Sequence, residues 1–248
     1  MLGVTDRGRE HPAVGLPRPE ADQHHAVVGS DWIWELRVPA AAEPALRELY
    51  ALAADRDLRP QRPDGLINLF TDPDADLRTV EDAQAALSAM ATGTEHGQLW
   101  ANGDVDIFVN WQEGTLVWTL DAAFCYRRPT PEADTFRELH ARLTGLWLDA
   151  AERLNADAGR VLDEWSCEQV WDLGIHDASH PAGGWPAELG WWTYLGPDRR
   201  LPPAPLPEIA AQARRLPNGA LLVKLLDDPA AVDPLRYQDI HTRWLRAA

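Results

Sequence analysis

The clearest structural signal in the chain lies in residues 105–126, VDIFVNWQEGTLVWTLDAAFCY. Segments 105–111 and 115–126 are rich in β-branched and aromatic residues, which are typical of strands. Between them, Gln112, Glu113 and Gly114 form a short glycine-containing connection of the kind that closes a hairpin. The sequence therefore predicts an antiparallel pair of strands near the middle of the chain.

Strand and helix patterns alternate on either side of this hairpin. Apolar residues occupy every second position from 32 to 38, which predicts a half-buried strand, and residues 43–55 carry apolar side chains at helical spacing. The same order repeats as a short apolar run at 66–70 followed by a helical pattern at 80–91. After the hairpin, the apolar face from Phe136 to Leu154 predicts a long helix that packs on the sheet.

Beyond Asp163, aromatic residues alternate with glycine and proline. The run GWWTYLGP at 190–197 has strand composition and ends in a turn, and a strand pattern at 221–226 precedes a helical pattern at 234–245. Tryptophan is interleaved with Gly and Pro over the segment, which predicts a layer of loops and short strands.

These patterns predict an α+β fold with a mixed or mainly antiparallel sheet. Helices near Leu46, Val80 and Phe136 are expected to pack on one face, and a Trp-rich loop layer to lie at the sheet edge. Residues 27–248 are expected to form a single domain with a possible sub-boundary near 160–185. Residues 1–26, which lack hydrophobic periodicity, are expected to be a disordered tail.

The acidic composition restricts the classes of partner. The chain has 39 acidic and 23 basic side chains and a net charge of −16, so it repels nucleic acid and anionic membranes. No apolar run reaches the length of a membrane span, and no signal peptide pattern is present at residues 1–9. Cys125 and Cys167 have apolar neighbours and are expected to be free thiols, which is typical of a cytoplasmic protein.

Candidate catalytic and metal motifs are incomplete. Asp72, Asp74 and Asp76 alternate as in a calcium loop, but Leu77 stands at the position that requires glycine. His176 and His180 are four residues apart, but proline and glycine follow at once and no glutamate lies between them. Nucleophile-elbow, dinucleotide and phosphate-loop motifs are absent from the sequence, so we expect no cofactor, no metal and no catalysis.

The best candidate for function is an acidic and aromatic surface in the segment that follows residue 162. Aromatic side chains supply contact area at low entropic cost, and carboxylates attract a basic partner. The alternative is that the tryptophans belong to the core and the acids to a solvated face. The candidate partner-binding residues are Asp163, Glu164, Trp165, Glu168, Trp171, Asp172, Trp185 and Trp191.

The C-terminal third resembles immunity proteins of bacterial polymorphic toxin systems, immunity family fifty-two in particular. The resemblance rests on the strand from Gly190 to Leu195, the Leu201-Pro202 turn, the segment 216–219 (LPNG), the strand 220–226 and the final helix. In the family these occur in the same order. The resemblance implies a small non-enzymatic α+β protein that binds and blocks a cognate toxin domain in the producing cell, and the acidic balance suits a basic toxin.

Two other functions remain open at the level of sequence. Tryptophan platforms bind sugars and carboxylates are abundant, so an enzyme acting on a carbohydrate or a small metabolite is the first alternative. It requires two carboxylates and a Trp at one concave pocket. The second alternative is a structural subunit of a cytoplasmic complex.

Overall fold

A computed structural model of the chain describes residues 29–71, 77–173, 188–198 and 206–247. Within them the fold is α+β, as predicted, and it is built on a nine-stranded antiparallel sheet with a separate two-stranded sheet. The strands are β1 Trp32–Arg37, β2 Leu58–Arg59, β3 Ile67–Leu69, β4 Arg78–Val80, β5 Gly97–Ala101, β6 Val105–Gln112, β7 Thr115–Leu120, β8 Ala158–Asp163, β9 Trp192–Leu195, β10 Ala213–Arg215 and β11 Leu221–Lys224. The helices are α1 Ala42–Ala54, α2 Ala83–Met90, α3 Asp134–Arg153, α4 Glu164–Val170, α5 Pro207–Gln212 and α6 Pro234–Ala247.

The large sheet has the order β10-β11-β9-β8-β1-β7-β6-β5-β2. The predicted hairpin is confirmed as β6 and β7, with Gln112 paired to Thr115. Glu113 and Gly114 both have positive φ, of 48° and 83°, and such two-residue turns match the twist of the flanking strands. Glycine is suited to the second position because it adopts positive φ without a steric penalty.

Helix α3 is bound to the centre of the sheet by two indole N–H groups. Trp34 of β1 donates to the Thr144 hydroxyl over 3.1 Å, and Trp147 of α3 donates to the Glu35 carbonyl over 2.8 Å. Gly159 allows this approach, because a Cβ there would lie 2.8 Å from the Glu35 oxygen and 3.0 Å from the Trp147 ring. The central strands and α3 therefore form one tightly packed core.

Helices lie on both faces of the sheet: the sequence analysis placed those near Leu46, Val80 and Phe136 on one face, and the C-terminal helix α6 lies on the other. Trp192 contacts His140 of α3 with ring centroids 4.9 Å apart, while its neighbour Trp191 contacts Tyr237 of α6 at 4.9 Å. Successive side chains of an extended strand point to opposite faces, so α6 packs on the face opposite α3. Helix α4 packs against α6 and β8, which adds a second helical layer at this end of the sheet.

Several element boundaries differ from the sequence prediction. Val80 ends β4 instead of opening the second helix, which begins at Ala83 after Asp82 caps it by accepting from the Gln84 N–H. Strand β5 was not predicted. After Asp163, residues Glu164–Val170 form a helix within the segment where loops and short strands were predicted, and Trp192–Leu195 forms a short strand.

Candidate functional site

The predicted partner-binding residues fall into three groups in the structure. Asp163 and Trp191 are interior, and Glu164, Trp165, Glu168 and Trp171 lie on one side of α4 or just after it. Trp185 lies outside the described residues, and so does the side chain of Asp172. Residues 72–76, His176 and His180 also lie outside them.

Asp163 and Trp191 are structural residues, which corrects their prediction as surface contacts. Trp191 is 0% exposed and its indole N–H donates to the Asp163 carboxylate over 2.7 Å and to the Ser166 hydroxyl over 3.2 Å. The other oxygen of Asp163 accepts from the Ser166 backbone N–H at 3.0 Å and so caps α4. Burial raises the pKa of Asp163, and these hydrogen bonds oppose the shift.

The exposed and partly exposed residues here define what we call the α4 surface: Asp31, Asp121, Glu164, Trp165, Glu168 and Trp171. Trp171 is 66% exposed, Glu164 and Glu168 are exposed, and Trp165 is partly exposed. The cap at Asp163 directs α4 so that Ser166 and Val170 face the interior. Because residues three or four apart share one side of a helix, Glu164 and Glu168 lie together on the solvent side, with Trp171 three residues further on.

Two further carboxylates come from elsewhere in the chain and were missed by the sequence analysis. The Glu164 N–H donates to the Asp31 carbonyl over 2.9 Å, and the Asp31 carboxylate accepts from the Ala122 N–H over 2.8 Å. These contacts hold the start of β1 and the end of β7 beside α4. Only the fold joins these segments, so no sequence spacing could have indicated that Asp31 and Asp121 belong to the surface.

The α4 surface is strongly negative. Partial burial raises the pKa of Glu164, and the charges of Asp31, Glu168 and Asp163 raise it further. Burial also raises the pKa of Asp31, with an additional contribution from Asp121. None of the ion pairs among the described residues involves Asp31, Asp121, Glu164 or Glu168. The surface therefore has a set of mutually repelling carboxylates that the described part of the chain does not neutralise with ion pairs.

One cation of the chain already lies at this surface. The Arg127 guanidinium lies over the Trp165 ring, 4.5 Å from its centroid, which is within cation–π range. The backbone N–H of Trp165 donates to the Ser30 hydroxyl over 2.8 Å, which fixes the main chain that carries the ring. Trp165 is thus positioned as a platform that accepts a guanidinium.

A second polar feature lies on the face of the sheet opposite α3. Arg160 pairs with Glu35, and its guanidinium also contacts Glu188 over 2.5 Å. Glu188 is only 5% exposed, so Arg160 compensates a buried charge. Arg160 and Glu35 also line a cleft of about 860 Å³ together with Glu113 and Trp111.

Three further features of the described residues concern metal ligands, thiols and helix length. They contain no group of three or more His, Cys, Asp or Glu side chains placed to hold a metal ion. Cys125 and Cys167 are free thiols, and burial raises the pKa of both. None of the helices in the described ranges is long and apolar enough to cross a membrane.

Comparison with known proteins leaves the family open. No family model matches the chain, and no curated protein matches it. Among solved structures, the Pseudomonas aeruginosa T6SS protein PA0821 is similar over 88% of this chain and 76% of that chain, with 14% sequence identity and a TM-score of 0.43. At this level the likeness says nothing about what the present chain binds.

Proposed function

We propose that the chain is a non-enzymatic inhibitor that binds a basic protein domain through the α4 surface. In keeping with the sequence resemblance, the partner would be a toxin domain, and the chain would act as its immunity protein. The observation that supports this most is the set of carboxylates without ion pairs beside Trp165 and Trp171.

Basic side chains of a partner would relieve the repulsion among these carboxylates. Opposite potentials accelerate association and suppress wrong partners, while aromatic side chains near the centre of an interface supply most of the affinity. The contact of Arg127 with Trp165 is an example of such an interaction, and a partner arginine would meet the carboxylates beside this ring. An exposed Trp171 at the end of α4 extends the contact area.

Co-expression tests the proposal directly. If the chain is an immunity protein, a neighbouring gene encodes a secreted protein with a variable C-terminal domain, and the chain rescues cells that express this domain. The variant Glu164→Lys with Glu168→Lys is expected to weaken rescue and slow association, because it places two cations on the surface that receives a basic partner.

A matched variant controls for net charge. Glu81→Lys with Glu138→Lys makes the same change in net charge at exposed positions of β4–α2 and α3, and it should leave rescue intact. Circular dichroism should show that both variants fold. Equal rescue by the two variants, with the toxin domain still bound, would exclude the α4 surface as the binding site.

The enzymatic alternative has one specific observation in its favour. The cleft of about 860 Å³ contains Glu35, Glu113 and Trp111, which is the combination of two carboxylates and a Trp that this function requires. Glu35 is bound by Arg160, which restricts its part in proton transfer. Turnover of a panel of aryl glycosides that is lost in Glu113→Gln would favour the enzyme over the inhibitor.

A further inference from the structure

A second cleft, of about 670 Å³, lies at the β2 edge of the large sheet. Strand β2 is five strand positions from β8, which corresponds to about 24 Å at the usual strand spacing. The cleft is therefore separate from the α4 surface. The charged side chains that line it are mainly basic, whereas those of the α4 surface are acidic.

Three guanidinium groups and one carboxylate line this cleft, in a chain that is otherwise acidic. Arg59 comes from β2, Arg62 from the following turn and Arg142 from α3, and the acid is Asp57. Arg62 is paired with Asp64 over 3.0 Å, and Arg142 donates to the Asn102 side-chain oxygen over 3.2 Å. Arg59 takes part in none of the ion pairs within the described residues, so at least two of the cations have no carboxylate partner there.

An indole lies beside these cations. Arg59 and Trp100 are directly paired across β2 and β5, so their side chains project from the same face of the sheet as neighbours. Trp100 is half-buried in the wall of the cleft, and among the described residues the Arg59 guanidinium does not lie over its ring. The Trp100 indole N–H is buried without an acceptor, so the accessible part of this half-buried side chain that lines the cleft is the apolar part of the ring.

We propose that this cleft binds a small phosphate ester that carries a planar ring. Arginine presents a planar set of N–H donors that matches phosphate oxygens, so Arg59 and Arg142 are the groups that hold the phosphate. The half-buried Trp100 then packs against the ring of the ligand. This site is independent of the proposed inhibitory function and remains valid if that function is wrong.

Calorimetric titration of the full chain with adenosine monophosphate, inorganic phosphate and adenosine tests the proposal. Adenosine monophosphate should bind saturably and at least about tenfold more tightly than either of the other two, because only it supplies both groups. The variant Arg59→Gln with Arg142→Gln should weaken its binding by about tenfold or more, and Trp100→Leu should reduce its advantage over phosphate. Arg236→Gln, at an exposed position of α6, is the control that should leave binding unchanged.

Circular dichroism identifies any variant that fails to fold. If Trp100→Leu does not fold, the double arginine variant decides the outcome, because Arg59 and Arg142 are not buried and their replacement should leave the fold intact. The absence of saturable binding of adenosine monophosphate by the wild-type chain would overturn the proposal. Undiminished binding by the folded arginine variant would overturn it as well. Because Glu164→Lys with Glu168→Lys leaves this cleft intact, that variant should bind adenosine monophosphate as the wild type does, whatever its effect on rescue.

Discussion

At the scale of single residues, Trp191 shows why composition could not separate core from surface. Tryptophan beside acidic residues suits an interface, yet here the acid is the partner that makes burial of the indole possible. Burial of the indole N–H is costly without an acceptor, and for Trp191 the acceptors are Asp163 and Ser166. The sequence contains these residues 25 to 28 positions away, and nothing in the spacing indicates that they meet.

The interior position of Trp191 predicts a loss of stability on truncation. Trp191→Ala should lower the free energy of unfolding by about 3–5 kcal/mol, because it removes a fully buried ring that packs on Tyr237. Trp191→Phe should cost less, about 1–3 kcal/mol, since it keeps a ring but leaves the Asp163 oxygen without its donor. Urea unfolding measures both values. If Trp191→Ala is as stable as the wild type but no longer binds a partner, the assignment of Trp191 to the core is wrong and the residue is a surface contact.

His140 is a second residue whose role depends on its surroundings. It is buried among Trp32, Trp34, Phe136 and Trp192, with centroid distances from 4.5 to 5.8 Å. Burial lowers its pKa from 6.5 to about 3, and Lys224 contributes in the same direction. The imidazole is therefore neutral in the folded protein at neutral pH, and it acts as a packing residue.

This depressed pKa predicts a pH-dependent stability. The unfolded chain binds the proton at His140 more readily than the folded chain does. The contribution of this residue to the free energy of unfolding is therefore fully present above pH 6.5 and is lost as the pH falls towards 3. Relative to His140→Phe, the free energy of unfolding of the wild type should fall by about 1.4 kcal/mol per pH unit below 6.5. Urea titrations between pH 7 and pH 4 give the difference. Parallel pH profiles for the two proteins would contradict the assignment.

At the scale of elements, local periodicity succeeded where one face of an element is buried along its whole length. The residues Trp32, Trp34 and Leu36 of β1 and the hairpin β6–β7 follow the alternation read from the sequence. Helix α4 was missed because it has only seven residues and depends on its Asp163 cap and its packing on α6. The sequence analysis assigned Val80 to a helix, because an apolar side chain at this position fits the periodicity of a helix as well as that of a strand. In the structure Val80 pairs with Ile67 and belongs to strand β4.

Arg160 links three elements, and its removal tests how much that link contributes. The guanidinium joins Glu35 of β1 to Glu188 before β9, and Arg160→Leu leaves Glu188 buried without a counter-charge. The free energy of unfolding should fall by about 3 kcal/mol. Arg47→Leu, which breaks an exposed pair with Glu43 in α1, should cost less than about 1 kcal/mol. Similar losses in the two variants would show that the Glu188 charge is compensated elsewhere.

At the scale of the whole molecule, charge is distributed unevenly over an acidic protein. The net charge of −16 was evident from the sequence, but its division into a negative α4 surface and a cleft with three arginines required the fold. Residues of β1, β7 and α4 meet at the first, and residues of β2, β5 and α3 meet at the second. A long-range attraction for cations and a local site for anions can therefore coexist on one domain.

The long-range field makes a kinetic prediction for the proposed basic partner. Raising the salt concentration shortens the screening length from about 30 Å at 0.01 M to about 10 Å at 0.1 M, so the association rate constant should fall by about tenfold or more. The dissociation rate constant should change far less, because contacts at the interface are screened weakly. Glu164→Lys with Glu168→Lys should give a shallower salt dependence than the charge-matched Glu81→Lys with Glu138→Lys, since only the first pair removes charge where the partner docks. Stopped-flow measurements with the toxin domain would distinguish the two variants, and identical slopes would mean that the net charge alone, and not the α4 surface, guides the encounter.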